Sequence, residues 1–117
     1  MTVKVDLFNV LKLICPRTFP GFAPTSTARP YITYQRIGGD VINPLANDVP
    51  DKKLGDFQIN VWADTQLAAD SMIELVEIAL RQATVFQARP INEPSDDWDA
   101  DMNRYCAIQD FRIISGR

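Results

Sequence analysis

Along residues 3–15 the apolar positions Val3, Leu7, Phe8, Val10, Leu11, Ile14 and Cys15 share one broad helical face, with Asp6, Asn9 and Lys12 opposite. This spacing predicts a helix that Pro16 ends, because proline cannot continue the hydrogen-bond ladder. The stretch PRTFPGFAPTSTARP carries four prolines and predicts a loop over 16–30. YITYQRI (31–37) is rich in β-branched and aromatic residues and predicts a strand, which Gly38 and Gly39 break. Tyr31 and Tyr34 differ in parity along it, so at most one reaches the core. VINPLANDVPDKKLGD (41–56) predicts a long loop or a loose hairpin tip, with Lys52 and Lys53 as loop charges. DFQINVWAD then alternates cleanly. Phe57, Ile59 and Val61 face one side, and Gln58, Asn60 and Trp62 face the other. That is a half-buried strand over 56–63, expected to pair antiparallel with 31–37. Trp62, on the face away from the apolar set, is expected to pack in a second layer or to meet another subunit.

DTQLAADSMIELVEIALRQA predicts a second helix, capped by Asp64 or Thr65. Its apolar set Ala68, Met72, Leu75, Val76, Ala79, Leu80 and Ala83 is expected to face the core, and Asp70, Glu74, Glu77 and Arg81 to face water. TVFQAR (84–89) predicts a short strand ended by Pro90, and RYCAIQDFRIIS (104–115) a long one. The order is α-β-β-α-β-β. It predicts an α+β fold, a mostly antiparallel four-stranded sheet packed against two helices, with residues 1–117 forming a single domain.

Between the last two strands lies SDDWDADMN, in which four of nine residues are aspartate. Asp97, Asp99 and Asp101 match the first three ligands of an EF-hand calcium loop. The match then fails, since the position that needs glycine is Met102 and the position that needs glutamate is Ile108. A catalytic use of Asp96, Asp97, Asp99 and Asp101 requires carboxylates in unlike environments, and the sequence places no buried acid beside them. The expectation is a solvated acidic tip joining two strands. Trp98 is expected to fold back onto the domain, and the aspartates to face solvent or, as one side of a subunit contact, a basic partner such as Arg29, Arg36, Lys52 or Lys53.

Composition narrows the chemistry. The chain has no histidine, which removes Ser–His and Cys–His catalysis and His-bearing zinc sites. Cys15 and Cys106 are not spaced as a metal knuckle or redox pair and are expected as small buried apolar residues. A net charge of −3 argues against a dedicated nucleic-acid binder. No apolar run is long enough to span a membrane, and the first residues do not have the pattern of a signal peptide. No cofactor motif is present, since IGGD lacks the Lys and Ser/Thr of a phosphate-binding loop.

The chain resembles the small tail-completion proteins of siphophages and prophages, the tail-terminator or head–tail joining group. The likeness is carried by the N-terminal helix and Pro-rich loop, then RPYITYQRIGGD as first strand. DFQINVWADTQLAADSMIELVEIAL follows as a strand running into an Ala/Leu/Val-rich helix, and YCAIQDFRII is the closing strand. It covers roughly residues 3 to 114. The resemblance implies a non-enzymatic structural protein without cofactor or metal. It would assemble with itself, as a hexameric ring, on the tail tube protein. The ring would present a surface to the head connector protein and let DNA pass without specific binding. Its place would be the virion tail at the head–tail junction, after assembly in the bacterial host cytoplasm. The variable segments 38–56 and 90–103 would then mate with neighbours, making Lys52, Lys53, Trp62, Asp96, Asp97, Trp98, Asp99 and Asp101 candidate contact residues. Two alternatives stand beside it: a small metal-dependent enzyme using the 96–101 aspartates, and an adaptor domain binding partners at its sheet edge.

Overall fold

The computed structural model describes residues 2–42 and 51–116. Helix α1 (Val3–Ile14) starts at Thr2, whose hydroxyl accepts from the Val5 amide at 3.3 Å. It stops before Pro16, as its sequence requires. Helix α2 (Gln66–Gln82) is capped by Thr65, whose hydroxyl accepts from the Ala68 amide at 3.1 Å. Of the two cap candidates, Thr65 is therefore the one used.

Among the described residues the sheet has six strands, not four, and is mixed. β1 (Thr18–Pro20), β2 (Tyr31–Gly38), β3 (Lys52–Ala63), β4 (Gln87–Pro90), β5 (Ser95–Asp99) and β6 (Arg104–Gly116) run in the order β1-β2-β3-β6-β4, with β5 also pairing with β6. Only β1–β2 is parallel; the other pairs are antiparallel. The expected pairing of 31–37 with 56–63 is present, with Tyr34 opposite Ile59.

Four expectations need correction. The Pro-rich segment contains β1, an edge strand whose Pro20 needs no donor on the solvent side. β3 begins at Lys52, so Lys52 and Lys53 belong to a strand, opposite Gly116 and Ser115, and not to a loop. The long-loop expectation for 41–56 otherwise falls partly on residues 43–50, outside the described residues. The strand expected at 84–89 is Gln87–Pro90, preceded by a bend that buries Phe86. The acidic tip is itself mostly a strand, β5.

Both helices lie on one face of the sheet. Phe57 and Phe111 sit opposite each other in β3 and β6 and are fully buried beneath them. Leu7 and Leu11 of α1 close the core with Ile32, Ile59, Val61 and Ile113. Each such side chain contributes about 1.5–3 kcal/mol on burial. The buried face of α2 is Ala69, Ile73, Val76 and Leu80, while Leu75 is exposed. The core face is thus turned about the helix axis from the expected set. Apolar residues occupy more than half of this helix's circumference, so its contacts with β6, β3, β4 and α1 choose the phase. Tyr34 joins the core from β2, and Tyr31 points to the opposite face, as parity requires. Tyr31 is nevertheless buried there, under a separate cover.

At the end of β2, Gly39 has φ 147°, and a Cβ on it would lie 2.8 Å from the Leu54 carbonyl oxygen. Only glycine fits that close approach.

Candidate functional site

The aspartate run divides between two faces because β5 is a strand. Asp96, opposite Ala107, lies on the helix face, where its carboxylate accepts from Gln66 Nε2 of α2 at 3.3 Å. Asp97 and Asp99, opposite Cys106 and Arg104, lie on the other face. Asp97 accepts from the Trp98 amide at 2.8 Å. Asp99 accepts from the Asp101 and Met102 amides at 3.1 and 3.3 Å, which shapes the turn into β6. The carboxylates are therefore separated or already engaged, and among the described residues no group of three or more His, Cys, Asp or Glu is placed to hold a metal ion. Trp98 does not fold back. It is 68% exposed beside Tyr105, its partner across the strand pair, which is exposed as well.

On the face away from the helices, Trp62 and Arg104 build a lid over Tyr31. The Arg104 guanidinium lies 4.4 Å from the Trp62 ring centroid, and Trp62 stacks on Tyr31 with centroids 6.4 Å apart. Arg104 also donates to the Tyr31 hydroxyl, and to Asp99 Oδ2 at 3.0 Å. These contacts bury Tyr31 and leave Trp62 half-buried. Arg29 donates to Asp64 at 2.6 Å and to the Met102 carbonyl at 3.0 Å, tying the β5–β6 turn to the entrance of α2. Within the chain, then, the cation that pairs with the aspartate run is Arg104, through Asp99. Arg29 reaches only the backbone of the turn. Burial, with the Asp97 carboxylate adding to it, pushes the Cys106 thiol up to about 12. Cys15 and Cys106 are both free and buried.

The opposite end of β3 is basic. Lys4, Arg36 and Lys53 are exposed and line one stretch of surface, where the first turn of α1 meets the ends of β2, β3 and β6. None of the three forms an ion pair with a described carboxylate. Nearby, Arg112 grips Asp56 bidentately at 2.8 and 3.1 Å and also reaches Asp40 at 2.9 Å. The hydrogen bond from Arg112 holds the Asp56 carboxyl below its usual range.

Between α2 and the β4–β5 connection runs a groove of about 520 Å³. Asp70, Glu74, Glu77, Glu93 and Asp96 rim it, and Ile73, Ile78 and Pro94 complete its lining. Two residues without an obvious sequence signal position it. Asn92 exchanges hydrogen bonds with Asp110, accepting from its amide and donating to its carboxylate, both at 3.0 Å. It thereby docks the connection on β6. Gln109, 1% exposed, donates through Nε2 to Glu77 Oε1 at 2.8 Å and to the Asn92 carbonyl at 2.9 Å. The bond to Glu77, together with Arg81, holds that carboxyl below the usual carboxylate range. Gln109 Oε1 is buried with no hydrogen-bond partner among the described residues. Its two acceptors fix the amide orientation, so a flip would not relieve it.

The sequence signature of the family described as Tail completion protein gp17 matches residues 7–116. No curated protein matches the chain significantly. Among solved structures, a chain of the virion of a native gene transfer agent particle has the same fold. It superposes with a TM-score of 0.60 at 17% identity, covering 97% of this chain and 91% of that one. A second solved structure reaches a TM-score of 0.49 at 13% identity over 96% of both chains, a likeness too loose to carry weight. The chain belongs to the tail completion protein gp17 family and is a virion structural protein of the bacteriophage tail-completion type.

Proposed function

We propose that the chain is the subunit of an oligomeric ring, hexameric as the resemblance implies, that caps the finished tail tube and forms the head–tail joining surface. Its partners are other copies of itself, the tail tube protein and the head connector protein, and DNA passes through the ring without specific binding. It assembles in the host cytoplasm and resides at the head–tail junction of the virion. It acts as one domain over residues 1–117 and carries no catalytic function.

The observation that best supports this reading, beyond family membership, is the apolar surface left bare. Leu13, Phe22, Val41, Leu67 and Trp98 are each at least 68% exposed. Leu67, Leu75 and Ile78 share one outward face of α2. A continuous apolar face such as that of Leu67, Leu75 and Ile78 marks contact with other proteins. Trp62, Trp98, Lys52, Lys53, Asp96, Asp97, Asp99 and Asp101 are the candidate contact residues. The metal-enzyme alternative finds less support, since β5 points its carboxylates to two faces.

The test is electron microscopy of purified protein added to tail tubes that lack a tail-completion protein. Rings on tube ends, and tails made competent to join heads, are expected. A chain that forms no ring and leaves tube ends bare would remove the proposal.

A further inference from the structure

Asp70, Glu74, Glu93 and Asp96 rim the α2 groove without pairing to any described cation. Four like charges around apolar residues repel one another, and a partner bearing positive charge relieves that repulsion as it displaces water from the groove. The chain itself offers that charge: Lys4, Arg36 and Lys53, exposed and gathered at the other end of β3.

We infer that the acid-rimmed groove between α2 and the β4–β5 connection receives the Lys4–Arg36–Lys53 surface of a second copy. Groove and basic surface are different patches of the same molecule, so the contact is head-to-tail. A head-to-tail contact propagates, and closes into a ring when its rotation allows. The inference rests on the ring reading in one respect: it names the faces by which ring neighbours meet.

Two double variants test it by sedimentation velocity at low and high salt. D70K/E74K makes the groove basic, and R36E/K53E makes the opposite surface acidic. All four positions are exposed, so both variants are expected to fold, with any loss of stability confined to the contact of Arg36 with the Phe57 ring and the hydrogen bond from Gln66 to Asp70. The wild type is expected to associate at low salt and to loosen as salt rises. Each variant alone is expected to associate at least about tenfold more weakly, and an equimolar mixture to recover association, because each now complements the other. Variants that associate as the wild type does, or a mixture that recovers nothing, overturn the inference while leaving ring formation intact. A wild type that stays monomeric at low salt also overturns it. Whether such a chain still caps tubes is then decided by the tube-end experiment alone.

Discussion

Arg104 and Trp62 face each other across the bare side of the sheet, guanidinium over indole at 4.4 Å, with the buried Tyr31 hydroxyl accepting from one terminal nitrogen of the cation and Asp99 from the other. One side chain therefore joins three strands: β2 through Tyr31, β3 through Trp62 and β5 through Asp99. Arg104→Ala is expected to lower stability by about 1–3 kcal/mol, combining the cation–π contact with two charge-assisted hydrogen bonds. Arg104→Lys should recover only part, since an ammonium lacks the planar fork. Urea unfolding followed by tryptophan fluorescence measures both, and an alanine variant as stable as the wild type would refute the three-strand role of Arg104.

Gln109 holds Glu77 and the Asn92 carbonyl from inside the core. Gln109→Leu keeps the volume but leaves that carbonyl and carboxylate without their donor, at an expected cost of about 1–3 kcal/mol. Gln109→Glu should cost more, because it sets a second carboxylate against Glu77. Thermal unfolding of the two variants should rank them in that order below the wild type.

These two residues show where sequence reading stops. The helices and the strands at 31–37, 56–63 and 104–115 are legible because burial imposes a period on their apolar residues. β1 and β5 carry no such period. Their proline and aspartate disfavour strands in isolation, and they pair only because β2 and β6 offer an edge. Arg104, Gln109 and Asn92 acquire their roles from partners far along the chain, as in the contact of Arg104 with Tyr31. Nothing local marks them. In sequence Asp70, Glu74 and Glu77 read only as the wet face of α2, and Asp96 only as part of the acidic tip; neither reading says that the β4–β5 connection brings them to one groove.

The Asp56–Arg112 pair gives stability a direction in pH. The carboxyl lies below its ordinary value of 3.8 when folded, chiefly through the hydrogen bond from Arg112. Its contribution is then complete above that value and is lost as pH falls through the folded one. Wild type should exceed Asp56→Asn in melting temperature at neutral pH, and the difference should shrink in acid below about pH 4. A difference that grew on acidification would mean that the folded protein raises this carboxyl instead of lowering it.

Both thiols are closed to reagents in the folded protein. Cys106 is fully buried and its thiol is pushed up to about 12, and Cys15 is 2% exposed. At neutral pH, alkylation by iodoacetamide should proceed only as fast as the protein opens, and both cysteines should react at once in denaturant. Rapid labelling of Cys106 in native buffer would contradict its place beneath the sheet's outer cover.

β5 is the last strand on its side of the sheet, and no described strand meets its outer edge. A bare edge is a template on which identical chains zip together into fibrils. Asp96, Asp97 and Asp99 make that template repel itself, because a second β5 laid alongside would set carboxylate against carboxylate. A virion structural protein has to stay dissolved before it finds its place, and the charge along this strand keeps chains that meet in solution from seeding a fibre.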